Sequence, residues 1–271
     1  MSYIFWNDFV DVWINNPINN NLNVNFLGWT NPNSIPLMNQ GVNDYSINYL
    51  PEPWWGNNGS HPLHSVIINY NPGLGGGNQS HLFSSNLLTA CTYQTFVGNE
   101  VLGITNNFIS TTRWHKSKRA KRILNRLSYL QIINNNETNL ENHLSIELIP
   151  WHTSNIATID NYINSNLKNI YQNCILFSAS ESNRIINPKL QNKVILRISG
   201  RATINLLNNF ANANICNFIV TCPIGYTPFG NGGYFKFTIK QIPNVEFISL
   251  WGNRNDLPPN IDLDWILQNV I

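Results

Sequence analysis

Charge is scarce in this chain of 271 residues: Asp, Glu, Lys and Arg together make up 11%, less than half the usual share of about a quarter. Cysteine is scarcer, with Cys91, Cys174, Cys216 and Cys222 scattered and no CxxC pair among them. That spacing argues against a zinc site and against a disulfide scaffold, and a reducing, cytoplasmic compartment is the expectation. No run of about 18 apolar residues occurs, which excludes a transmembrane helix. Residues 1–9 are apolar but lack a basic n-region and include Asp8, so they do not read as a signal peptide. The histidines His61, His64, His81, His115, His143 and His152 show no metal-ligand spacing, and no HExxH is present. A GxSxG elbow is missing around Ser154 and Ser199, and no Gly-Lys-Ser/Thr loop occurs. Serine hydrolysis and P-loop phosphoryl transfer thereby lose their usual sequence support, and neither a metal nor an organic cofactor is expected.

What the chain does have is apolar and aromatic mass: 42% hydrophobic residues, 12% aromatics and nine Trp, ample for a packed core. Its 49 asparagines fit the codon bias of an AT-rich genome and receive no functional weight. Short apolar runs at 65–70, 144–149, 174–177, 194–198, 218–220 and 245–250 read as strands. Helix-like segments at 85–92, 155–171, 202–210 and 261–270 lie between several of them. Continuous apolar strands alternating with helices predict an α/β fold with a mostly parallel, doubly covered sheet. Residues 1–64, rich in Asn, Pro and Trp, read as an irregular lead-in packed on that core, and 222–240 as a loop plus an added strand or hairpin. With no repeat and no Gly/Ser linker, residues 1–271 form one domain, expected to be monomeric.

The cations are unevenly spread. Seven of the sixteen Lys and Arg are Arg113, Lys116, Lys118, Arg119, Lys121, Arg122 and Arg126, and the rest of the chain is net acidic. The segment reads as a helix capped by Thr111 or Thr112, with Ile123, Leu124 and Leu127 as its apolar edge. Such a concentrated patch is the footprint of a phosphate backbone; a solvated helix face or a localisation signal would look the same. Nucleic acid, specifically DNA, is the expected partner, and a membrane is not.

The strongest local signal is VIINYNPGLGGG at 66–77, a strand running straight into Asn, Pro and glycines. In an open α/β sheet, ligands bind just outside the carboxyl ends of the strands, which puts Asn71 at the mouth of a site. Glycine backbone there lets a ligand approach closely, although an ordinary tight turn has the same composition.

Asn71-Pro72-Gly73-Leu74 after an apolar strand resembles the GINPG-type first motif of the uracil-DNA glycosylase superfamily, especially its mismatch-specific and single-strand-selective branches. Gln79, His81, Leu82, Phe83 and Ser84 resemble, with a one-residue slip, the segment leading to that family's base-stacking Phe. SLWGNRNDLP at 249–258 is similar to the HPSPRN-type motif whose loop enters the minor groove, with Arg254-Asn255 matching best. The chain departs from the family where Asn69 and Tyr70 replace Gly and Ile, and where Leu250-Trp251-Gly252 replaces His-Pro-Ser.

The resemblance implies a three-layer α/β sandwich and a DNA glycosylase that flips a base out of the helix and hydrolyses its N-glycosidic bond. By the same carry-over, Asn71 positions the attacking water, Tyr70, Pro72, Gly73 and Phe83 form the base pocket, and Trp251, Gly252, Asn253, Arg254 and Asn255 enter the DNA. The family also presents a polar strand residue to the base edge, and the comparable position here is Glu147, between Ile146 and Leu148. A carboxylate only accepts hydrogen bonds, so it suits the exocyclic amino group of cytosine or adenine better than the carbonyl of uracil. A modified pyrimidine, such as a modified cytosine of phage DNA, is the expected target. Glu147 facing solvent from a strand edge is the bland alternative. Trp54 and Trp55 read either as core or as walls of a base pocket. Two other classes fit the same residues: a non-enzymatic nucleic-acid-binding module, and a hydrolase of free nucleosides or nucleotides.

Overall fold

Short β-rich runs build one sheet in the computed structural model. It describes residues 54–57, 62–70, 118–134, 137, 139, 142–149, 163, 167–168, 170–198, 206, 208–213, 235–249, 267–268 and 270–271. The strands are β1 (Trp54–Gly56), β2 (Ser65–Asn69), β3 (His143–Glu147), β4 (Lys193–Arg197), β5 (Phe235–Ile239) and β6 (Ile242–Ser249). The helices are α1 (Lys118–Tyr129), a π-helical segment (Ile170–Leu176) and α2 (Phe177–Ser182), which continues directly from it. The sheet runs β1-β3-β2-β4-β6-β5. β3, β2, β4 and β6 are mutually parallel, while β1 and β5 pair antiparallel at the two edges. A mostly parallel mixed sheet with helices is an α/β arrangement.

The four central strands were legible as apolar runs, and their positions agree within a few residues. Of the segment 222–240, expected as a loop plus an added strand or hairpin, the described residues form β5, which pairs antiparallel with β6; residues 222–234 lie outside the described ones. Residues 208–212 and 267–268 are helical, as expected for those segments. The expected strand at 174–177 is wrong: Cys174–Leu176 lies in the π-helix and Phe177 opens α2. A short apolar run bounded by no turn signal is as compatible with a buried helix as with a strand. Here Ile170, Cys174, Ile175 and Phe177 are all buried, so the run is apolar because it is enclosed. The helix at 85–92 and the strand at 218–220 lie outside the described residues.

The α1 sequence buries Ile123, Leu127 and Leu130 on one side, an i, i+4, i+7 stripe facing the core. Arg126 shares that stripe and is only 1% exposed, so it does not belong to a solvent-facing basic patch. Gln131 ends the helix in the left-handed region at φ 55°. Its N–H reaches Ser128 O and that of Ile132 reaches Leu127 O, both at 2.9 Å, which is the Schellman closure. Asn187 Nδ2 then donates to Ile132 O at 2.7 Å, tying this end of α1 to the chain after α2.

β2 and β3 are buried at every residue, as a doubly covered sheet requires, but they are not continuously apolar. Pairing places Ser65, Ile67 and Asn69 in register with His143, Ser145 and Glu147. Since side chains alternate between faces, these share one face, and Lys193, Ile195 and Arg197 of β4 continue it. Val66, Ile68, Leu144, Ile146, Val194 and Leu196 take the other face and are all buried. Across β2, β3 and β4, one side is thus hydrocarbon and the other largely polar.

Candidate functional site at the carboxyl end of the parallel strands

The order of the parallel strands creates a switch point. From β2 the chain passes to β3 on one side, then returns to β4 on the other. Ligands of open α/β sheets bind in the crevice at such a reversal, beyond the carboxyl ends of the strands. The residues at those ends are Asn69, Glu147 and Arg197, paired directly across three adjacent strands.

Asn69 is the hub of this row. Fully buried, it donates from Nδ2 to Ser145 Oγ at 2.5 Å. Its Oδ1 accepts from Arg197 Nη1 at 3.4 Å. A guanidinium can only donate, so Arg197 and Ser145 together fix which way the Asn69 amide faces. Glu147 on the opposite side of Asn69 is 0% exposed and lies on an interior strand, between β1 and β2. The solvent-facing, strand-edge reading of Glu147 is therefore ruled out. Burying a carboxylate is costly, which makes its position at a strand end a feature that packing alone does not explain.

The π-helical segment closes in beside Glu147. The Cys174 thiol donates to the backbone oxygens of Glu147 and Leu148, each at 3.5 Å. Burial, reinforced by the nearby Glu147 charge, pushes its pKa far up. Cys174 thus stays a thiol and is unsuited to nucleophilic or redox chemistry. The backbone pairing of β2 and β3 continues past Glu147, with Leu148 N–H on Asn69 O at 2.8 Å and Ile149 N–H on Tyr70 O at 3.1 Å. Tyr70, half-buried, is thereby held beside β3 immediately before Asn71.

A second polar cluster occupies the amino end of the same face. Ser65 Oγ and His143 Nδ1 are 2.8 Å apart, and His143 Nε2 lies 2.7 Å from Glu137 O. The carbonyl can only accept, so Nε2 carries the proton and Nδ1 accepts from the Ser65 hydroxyl. Burial lowers the His143 pKa to about 4. Four residues of strand at about 3.3 Å each put His143 roughly 13 Å from Glu147. With both Ser65 and His143 buried, the pair anchors β2 to β3 and is not part of the crevice.

Of the residues singled out from sequence, Glu147 stands at the switch point, and Tyr70 follows the end of β2 with its carbonyl held by Ile149 N–H. Asn71, Pro72, Gly73, Phe83, Arg113, Lys116, Trp251, Gly252, Asn253, Arg254 and Asn255 lie outside the described residues. Lys118, Arg119, Lys121 and Arg122 form the first turns of α1 by their backbone. Trp54 and Trp55 pair with Ile146 and Ser145 on edge strand β1. Asn69, Ser145 and Arg197 were missed. The signal that could have found them is the polar alternation of HLSIE and the polar residues at both ends of SVIIN and KVILR, which an overall apolar reading hides. Among the described residues, no helix is long and apolar enough to cross a membrane. Nor do three or more His, Cys, Asp or Glu side chains converge there as a metal would require. No protein-family profile, curated protein or solved structure matches the chain.

Proposed function

We propose that this chain is a DNA glycosylase on a three-layer, uracil-DNA glycosylase-like α/β domain, acting on an amino-bearing, modified pyrimidine. The observation that carries this reading is the fully buried Glu147 carboxylate, in register with Asn69 at the switch point, next to the strand end from which Asn71 follows. A flipped base needs a desolvated pocket with a few fixed polar groups on its Watson–Crick edge. A buried acceptor of this kind pairs with an exocyclic amino group.

In the reaction, Asn71 positions the water that attacks C1′. An amide is no strong base, so the glycosidic bond must be largely broken, its electron pair leaving with the base, before the water adds to the oxocarbenium-like C1′ and gives up its proton to the departed base or to solvent. Phe83 stacks on the base, and the 251–255 loop holds the duplex. The cations of α1 engage phosphates. The first turn of α1 contains no acidic residue, and cations there oppose the helix dipole at roughly 0.3–1 kcal/mol each. Helix stability does not account for them, whereas a phosphate backbone does.

The test is incubation of the protein with unmodified and hypermodified phage DNA, followed by alkali to reveal abasic sites. Cleavage confined to modified DNA, lost in Asn71→Ala with duplex binding retained, is the expected result. Undiminished excision by the folded Asn71→Ala protein removes the central claim. Tight DNA binding with no alkali-labile sites on any substrate favours a binding module instead.

A further inference from the structure

We propose that the π-helical segment is the positioning element for Glu147, acting through Cys174 on the two peptide units that follow the carboxylate. The part in base recognition rests on the glycosylase reading; the backbone clamp itself rests on β2, β3 and the π-helical segment. In a regular parallel ladder, successive N–H groups of one strand alternate between its two neighbours. That alternation stops after Glu147: Leu148 N–H donates to Asn69 O and Ile149 N–H to Tyr70 O, both on the β2 side. Peptide units 147–148 and 148–149 therefore point the same way, which takes Leu148 out of the extended region, and Leu148 and Ile149 form a bend. A trans peptide directs its carbonyl opposite to its N–H, so the oxygens of Glu147 and Leu148 turn away from β2. Both meet the Cys174 thiol there, at 3.5 Å each, and share its single proton.

Each of these peptides is thus held at both ends, by a β2 carbonyl on one side and by the thiol on the other. Peptide 147–148 is joined directly to the Glu147 Cα, so its rotation would swing the stem of the carboxylate. β1 pairs with β3 only as far as Ile146, and Cys174 supplies a donor where that pairing ends. A base-reading group must stay within about 0.5 Å of its productive position, and backbone tied at both ends meets that need better than a side chain held alone. The donor is itself anchored, because α2 continues from the π-helical segment and packs on β2, β4 and β6. Burial keeps the thiol protonated, so the donor is present at neutral pH. π-helical turns are rare and concentrate at functional positions, and a fully buried thiol on two strand-end carbonyls gives this one a task.

The experiment follows amide hydrogen exchange and base preference in the intact wild-type, Cys174→Ala and Cys174→Ser proteins, with thermal unfolding as a check on folding. In wild type the Leu148 and Ile149 amides should be protected like those within β3. Cys174→Ala should speed their exchange by about twofold to fivefold, the range for one weak hydrogen bond, and leave the Ile67 and Ile195 amides unchanged. The ratio of excision rates on cytosine-type and uracil substrates should fall by a similar factor. Cys174→Ser keeps a hydroxyl donor and should restore part of both. Unprotected Leu148 and Ile149 amides in wild type overturn the clamp, as does unchanged exchange in folded Cys174→Ala. Faster exchange with equal losses on the two substrates overturns the positioning role. If Cys174→Ala fails to fold, Cys174→Val, which fills the site without a donor, replaces it under the same criteria. If wild type excises no base, the glycosylase reading falls and the part in base recognition with it, while exchange still decides the clamp.

Discussion

Acidification provides a measurable test of the polar sheet face, because His143 is buried as the neutral imidazole. Its folded pKa is about 4, against an unfolded value near 6.5. Between these values the unfolded chain binds a proton that the folded chain does not, so stability rises with pH through the window. The contribution is fully present above about pH 6.5 and is lost progressively as pH falls towards 4. At pH 5 the two pKa values give a loss of about 2 kcal/mol relative to pH 7.5, and about 3 at pH 4. The informative perturbation is His143→Gln. A Gln amide can donate to Glu137 O and accept from Ser65 as the Nε2-protonated ring does, but it does not titrate. Glu137 pairs with His64 at 2.8 Å, and both groups are retained in the variant. Urea unfolding of both proteins at pH 7.5, 6 and 5 should show wild type losing about 2 kcal/mol more than the variant over that range. Superimposable pH profiles would refute the buried-neutral assignment.

At the carboxyl end of the same face, Glu147→Gln should depress excision of a cytosine-type base by about tenfold to a hundredfold and raise any relative activity on uracil. Single-turnover rates on paired substrates check this, and equal changes on both would mean that Glu147 does not read the base. Reversing Lys118, Arg119 and Lys121 to Glu should weaken duplex binding uniformly across sequences. It should also lower the log–log salt slope by roughly one unit for each phosphate that is no longer neutralised, a prediction that an unchanged slope in a salt titration contradicts.

Local sequence accounts for the four central strands and for α1. Aliphatic, β-branched runs at Ser65–Asn69, His143–Glu147, Lys193–Arg197 and Ile242–Ser249 are strands because such residues fill a pleated, enclosed surface. The apolar stripe of Ile123, Leu127 and Leu130 makes α1 a helix by the same local logic, and the clustering of cations in its segment is a property of composition. Glu147 stood out because an acidic residue between Ile146 and Leu148 is rare. Tertiary structure alone decided which polar residues meet. Asn69 finds Ser145 at 76 residues' separation and Arg197 at 128, distances over which periodicity holds no information and only strand order and register matter. It also decided that Cys174–Phe177 is helical and that Arg126 lies inside, since an apolar run or a lone cation acquires its environment from what packs against it. The row formed by Glu147, Asn69 and Arg197 exists because β3, β2 and β4 are neighbours in register; a slip of one residue in either pairing would turn one of its charges to the hydrocarbon side of the sheet.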